Sequence, residues 1–170
     1  MPWKLRHKQM PAETSNVHRP SNVQCAGDES EANVIRSIMD KQFFLKQPIV
    51  EATVADVSIA HDLIEILEAH RATCVGMAAN MIGERKRIIA VVDDASNVLV
   101  MLYPEITACE GPYNAMEGCL SLPGKCEAVR YERIDVAYQD ESMRNVQCSF
   151  SGRVAQAIQH EIDHCNGVLI

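Results

Sequence analysis

An α+β fold is predicted for this chain, with antiparallel sheets packed around a central C-terminal helix. Three features of the sequence predict it. Apolar, β-branched runs of about five residues, each closed by turn residues, recur between residues 88 and 150 and read as strands. A long helical period starts after the last of them and runs nearly to the end of the sequence. The strands follow one another with no helix between them, which favours antiparallel pairing over βαβ units.

Residues 1–31 are polar, carry Pro2, Pro11 and Pro20, and show no sustained period. They are read as a disordered extension or a cloning remnant. Residues 32–170 are read as one domain, long enough to bury a sizeable core. The folded part is expected to begin at Val34-Ile35-Arg36-Ser37-Ile38, and Pro48-Ile49-Val50 to lead into an irregular segment. Asp56 or Ser58 caps a helix over Ile59 to Arg71, with Ile59, Leu63, Ile64, Ile66 and Leu67 on its apolar face. The small, apolar stretch Cys74 to Gly83 follows, where Gly76 and the pair Ala78-Ala79 allow close approach of backbone or ligand. Ile88 to Val92 is a buried strand ended by Asp93-Asp94, and Val98 to Leu102 is its antiparallel neighbour. Pro104 is expected to end that strand, with a loop around Gly111-Pro112. Ile134 to Tyr138 and Val146 to Phe150 supply two more strands.

Composition narrows the function classes. Of 170 residues, 47% are hydrophobic and 23% charged, as in an ordinary globular protein. A formal net charge of -7 argues against a sequence-specific nucleic-acid surface and against an anionic-membrane surface. No apolar run reaches the roughly 18–20 residues a membrane-spanning helix needs. Lys4, Arg6 and Lys8 are not followed by an apolar core, so no secretory signal is read there. The seven cysteines are odd in number and form no C-x-x-C pair, which suits free thiols in a reducing cytoplasm.

The segment from Ala155 to Gly167 carries the chemistry. It reads as one helix closed by Gly167 in the left-handed position. His160 and His164 are four apart, so their imidazoles lie one turn apart on one face and can reach a single metal ion. Glu161 between them can reach a water on that ion, the pattern of a mononuclear metallohydrolase. Ala155, Ile158, Ile162 and Cys165 form an apolar stripe on the opposite face. Histidine pairs at this spacing also occur on ordinary helices, and two imidazoles do not complete a site. A catalytic ion usually takes three protein ligands and keeps one position for water. Cys119, in the Gly- and Pro-punctuated segment Met116 to Gly124, is the candidate third ligand. A Cys-His₂ set suits zinc or a divalent iron-group metal. Taken alone, such a cysteine is more often a packed thiol.

Glu117-Gly118-Cys119-Leu120-Ser121, followed some forty residues later by His160-Glu161-Ile162-Asp163-His164, resembles two signature motifs of the peptide deformylases. Their first signature, Gly-x-Gly-x-Ala-Ala-x-Gln, is matched upstream by Gly76-Met77-Ala78-Ala79. The resemblance runs from about Asn33 to Ile170. It implies a metal-dependent hydrolase that removes the N-formyl group from the initiator methionine of nascent peptides. Cys119, His160 and His164 would bind one divalent ion, Fe²⁺ by resemblance, with Zn²⁺, Ni²⁺ or Co²⁺ as substitutes. Glu161 would act as general base and then acid, and the Leu120 N–H would donate to the oxyanion. Gly76, Met77 and Gly118 would line the substrate cleft, and Ile158 and Gln159 would border the methionine pocket. Asp163 would pair with an arginine, Arg130 being the nearest candidate. N-formyl-Met peptides are the implied partner, with transient ribosome contact and a cytoplasmic location.

The first signature departs from the family pattern at both ends. Its first glycine is Cys74, and its glutamine is Met81. In the family that glutamine amide is a second donor to the oxyanion, and a thioether donates nothing. Asn80, one residue earlier, is an alternative source of an amide. The alternative function is a deformylase-like protein with weak, altered or lost activity that acts as a peptide-binding module.

Overall fold

The computed structural model of the protein describes residues 36–50 and 56–170, so the expectation for residues 1–31 lies outside the described residues. Three α-helices occur among them, α1 (Gln42–Leu45), α2 (Val57–Ala69) and α3 (Gly152–Cys165), together with a 3₁₀ helix at Ala79–Ile82. Five strands occur in chain order: β1 (Gly76–Ala78), β2 (Ile88–Val92), β3 (Val98–Cys119), β4 (Leu122–Gln139) and β5 (Asn145–Ser151). All pair antiparallel with their sequence neighbours in one sheet of order β1-β2-β3-β4-β5. The fold is α+β, as its strand succession and late helix predict.

The β2–β3 hairpin pairs antiparallel as expected, with Ile88 facing Leu102 and Val92 facing Val98. Its turn is held by Asp93, whose Oδ1 accepts the Asn97 N–H at 2.7 Å. Both strands are apolar runs because both faces of this part of the sheet are covered. Ile88, Ile89, Ala90 and Val91 are buried together with Leu63 and Leu67 of α2.

Beyond Leu102 the expectation needs correction. Pro104 does not end the strand, and Gly111-Pro112 is not a loop. β3 runs on to Cys119, 22 residues in all, with Pro112 opposite Tyr131 in the ladder. Register shifts between Leu102 and Glu105 and between Ile106 and Ala108 absorb the proline, whose missing N–H a bulge does not need. Tyr103 takes a left-handed backbone (φ 54°) there, and the Pro104 carbonyl accepts from Arg87 Nε and Nη2. Residues 107–112 are exposed, so no apolar alternation marks the strand in the sequence.

Helix α2 begins two residues earlier than predicted, and Asp56 stands before it without a side-chain capping bond. Helix α3 is the central element. It packs on β4, β1, β2 and β5, and ten of its side chains are buried, which leaves little of its circumference to solvent. Its end is a full Schellman closure. Gly167 N–H donates to His164 O (3.1 Å) and Val168 N–H to Asp163 O (2.9 Å), with Gly167 at φ 74°. This closure fixes the last turn, which carries His164.

Candidate metal centre

Alternation along the end of β3 builds one wall of the site. Ala115 and Glu117 point inward and are buried, while Met116 between them is 63% exposed. A register shift after Glu117 then turns Cys119 towards α3 at the tight β3–β4 turn. On α3, His160 and His164 stack one turn apart with ring centroids 4.8 Å apart and an interplanar angle of 80°. Cys119 Sγ lies 3.2 Å from His164 Nε2, which lies 3.1 Å from His160 Nε2. The three ligating atoms all fall within 4.8 Å of one another. Tetrahedral bonds of about 2.0 and 2.3 Å to nitrogen and sulfur put neighbouring donors roughly 3.3–3.6 Å apart, so the cluster has the right size for one ion.

The surrounding hydrogen bonds suit the same ion. His160 Nδ1 donates to Glu117 Oε2 at 2.9 Å, which leaves the Nε2 lone pair free to ligate. Burial alone would push the Cys119 thiol up, but hydrogen bonds from His160 and His164 bring it down to about 5, so it is a ready thiolate. Glu161 is 3% exposed, and its Oε2 has no hydrogen-bond partner among the described residues. A buried carboxylate oxygen without a partner is costly unless a ligand meets it. Burial pushes this carboxyl up to about 7, within the range a general base needs.

Glu117 is the hub that sequence reasoning left without a role. Besides His160, it accepts from Arg130 Nε (3.0 Å) and Nη2 (2.8 Å) and from Gln156 Nε2 (2.8 Å). Arg130 Nη1 reaches on to Asp163 Oδ2 at 2.7 Å, so Arg130 and Asp163 do stand together. A signal for Glu117 was present: it lies two residues before Cys119, the strand spacing that shares one face. Arg130→Ala would leave the 5%-exposed Glu117 carboxylate short of its main cation. The expected loss is about 3–5 kcal/mol in urea unfolding of the metal-loaded protein. Burial pushes the Glu117 carboxyl up, but His160, Arg130 and Gln156 outweigh it and hold it at about 2. The stabilisation is therefore present above the ordinary value of 4.5 and is lost as pH falls from there towards 2. A Glu117→Gln variant should show a flatter loss of stability across that window.

A cavity of about 320 Å³ opens beside the centre. Gly76, Gly118, Leu120, Met81 and Glu161 line it together with Cys119 and His160. Gly76 is required there: a Cβ at this position would lie 2.7 Å from Glu161 Oε1 and 3.0 Å from its Cγ. Gly76→Ala should therefore displace Glu161 and lower kcat about 10²-fold with metal content unchanged, as kinetics beside metal analysis would read. Equal turnover would show that Glu161 moves aside without cost.

Three residues expected at the cleft are elsewhere. Met77 is fully buried in the hydrophobic core. Ile158 is also fully buried there, because it sits about 200° around the helix from His160. Gln159 ties α3 to β4: its Oε1 accepts the Tyr131 N–H at 2.9 Å and its Nε2 donates to Tyr131 O at 3.0 Å. The helix residues that do line the cavity are Arg153, Gln156 and Ala157, which share the face of His160. Asn80 supplies no amide to the cavity. Its Nδ2 donates to His164 O at 2.8 Å and Leu45 O at 3.4 Å. Met81 is buried in the cavity wall with its Sδ 3.5 Å from the Ala78 N–H.

Residues 35–170 match the family model described as polypeptide deformylase. The chain is 44% identical to the peptide deformylase of Clostridium beijerinckii over 138 residues, covering 81% of this chain and 100% of that protein. It is 41% identical to the peptide deformylase of Dictyoglomus thermophilum over 113 residues, covering 66% and 72%. A Met-Ala-Ser-bound class I type b peptide deformylase from Acinetobacter baumannii superposes with a TM-score of 0.72 at 26% identity, covering 81% of this chain and 97% of that one. The peptide deformylase from Thermus thermophilus gives 0.65 at 38% identity, covering 79% and 81%. Sequence and fold agree over the same stretch that brings one thiol and two imidazoles together, and this chain belongs to the peptide deformylase family.

Proposed function

We propose that this protein hydrolyses the N-formyl group from the initiator methionine of nascent peptides and releases formate. The observation that carries this reading is the convergence of Cys119, His160 and His164 beside the unpartnered Glu161 Oε2. One divalent ion held by these three side chains, Fe²⁺ by family resemblance with Zn²⁺, Ni²⁺ or Co²⁺ as substitutes, would supply the Lewis acidity that makes water nucleophilic near neutral pH. Glu161 takes the proton of the attacking water and returns it to the leaving amine nitrogen. The Leu120 N–H, in the two-residue turn next to Cys119, donates to the oxyanion of the formyl carbon. Glu117 accepts the Nδ1–H of His160 and so holds that ring's tautomer and orientation. Arg130, with Asp163 behind it, fixes Glu117 in turn.

The Acinetobacter relative is bound to Met-Ala-Ser, and a peptide of that kind suits a cleft lined by Gly76 and Gly118. The catalytic domain would span 32–170, with residues 1–31 an extension. A cytoplasmic location and transient contact with the ribosome follow from a nascent-chain substrate. No helix among the described residues is long and apolar enough to cross a membrane. A pure binding module is the less favoured reading, because all three ligands and Glu161 are present. Anaerobic metal analysis coupled to formate release from formyl-Met-Ala tests the proposal. One equivalent of divalent metal with formate release is expected. Stoichiometric metal with no formate would overturn it in favour of the binding module.

A further inference from the structure

The two histidines of the centre are supported unequally. His160 Nδ1 donates to Glu117 Oε2. His164 turns its Nε2 to the centre, 3.2 Å from Cys119 Sγ and 3.1 Å from His160 Nε2. A neutral imidazole that ligates through Nε2 carries its proton on Nδ1. His164 is fully buried, and its Nδ1 has no hydrogen-bond partner among the described residues. A ligating histidine nearly always donates that proton, and a buried donor without an acceptor is costly.

The other buried side-chain atoms without a partner, among the described residues, are Asn80 Oδ1, Ser121 Oγ, Gln139 Oε1 and Glu161 Oε2. Three of them belong elsewhere. Glu161 is the general base. Gln139 ends β4 opposite Asn145, far along the strand from Cys119. The Ser121 N–H donates to Cys119 Sγ at 3.3 Å, which ties Ser121 to the thiol that meets the Nε2 edge of the ring. Asn80 is bonded to residue 164 itself, its Nδ2 donating to the His164 carbonyl at 2.8 Å. Asn80 is 2% exposed and sits in the 3₁₀ helix after β1. Its Nδ2 also donates to Leu45 O at 3.4 Å, so both amide hydrogens are used and Oδ1 is left to accept. A donor that lacks an acceptor and an acceptor that lacks a donor thus stand on two residues in direct contact.

We infer that Asn80 is a positioning residue for His164. Its Nδ2 holds the His164 carbonyl, and its Oδ1 takes the Nδ1–H of the same residue through one buried water. Two polar partners are enough to hold such a water. Asn80 is then the counterpart of Glu117 at His160, with a neutral amide in place of a carboxylate. The inference goes beyond the proposed reaction and rests only on its three metal ligands.

The test uses the full-length zinc-loaded protein with ¹⁵N-labelled histidine. Nuclear magnetic resonance reads each Nδ1–H, and chelator competition reads zinc affinity. In the unaltered protein the His164 Nδ1–H should show a cross-peak to bound water and exchange slowly. Asn80→Ala should broaden that signal and weaken zinc binding by on the order of 10- to 100-fold. The His160 Nδ1–H, held by Glu117, should not move. Asn80→Asp keeps an acceptor oxygen, so the His164 signal should return, shifted downfield by the charged acceptor, with part of the affinity. Ser121→Ala should leave it in place. A His164 signal unchanged in Asn80→Ala, or one that answers to Ser121→Ala instead, would overturn the inference. Should Asn80→Ala fail to fold, the Asn80→Asp shift decides, and its absence would overturn the inference equally. The expected responses in a protein that releases no formate would leave the inference standing and overturn the deformylase reading instead.

Discussion

Glu161→Gln should lower kcat for formate release by on the order of 10²–10⁴ while the metal stays bound. The two halves of this outcome have separate physical causes. The glutamine keeps the shape of the side chain but cannot take a proton from water. Metal retention follows because Glu161 contributes no atom to the Cys119, His160 and His164 cluster. Replacing a ligand has the opposite signature, with metal and activity lost together. The site also tolerates the neutral form well. In the protein alone the Glu161 carboxyl is pushed up to about 7 by burial, so an uncharged amide there costs little stability. Metal analysis and single-turnover kinetics on the same preparation check the prediction. Unchanged turnover, or metal loss in step with activity, would place the proton transfer elsewhere.

Met81→Gln should act in the other direction, raising kcat by on the order of 10². Met81 occupies the cavity wall, and its sulfur sits where it can only accept, 3.5 Å from the Ala78 N–H. Glutamine has nearly the same length. Its Oε1 can take over the Ala78 N–H, and its Nε2 then faces the cavity as a second oxyanion donor beside the Leu120 N–H. The gain should appear in kcat more than in KM, because the donor acts on charge that develops only in the transition state. Asn80 cannot fill this role in the protein as it stands, since two backbone carbonyls already hold its amide. No change in kcat would mean that the ion and the Leu120 N–H carry the oxyanion unaided.

Much of the metal centre could be read from residue order because its two halves are local. His160 and His164 face one way at any helical spacing of four, and Gly167 closes such a helix whatever surrounds it. The β2–β3 hairpin was equally plain, since a turn between two apolar runs states its own register. The long β3–β4 ribbon was hidden. Its middle is exposed and polar, and Pro104, Gly111 and Pro112 are ordinarily loop residues, tolerated here by bulges. The misplaced cleft residues have a different origin. Ile158 and Gln159 are neighbours of His160 in sequence, but successive helix residues point about 100° apart.

Residue order alone therefore determined the ligand types, the α3 helix and its closure, and the succession of strands, because each follows from local backbone periodicity and turn chemistry. The tertiary structure decided which residues share the cavity. It brought Cys119 within 3.2 Å of His164 across 45 residues and made Glu117 the partner of both His160 and Arg130. Those relations depend on the register of β3 against β4 and on the rotation of α3 over the sheet. Both are set by packing between distant segments, which no short window of sequence contains.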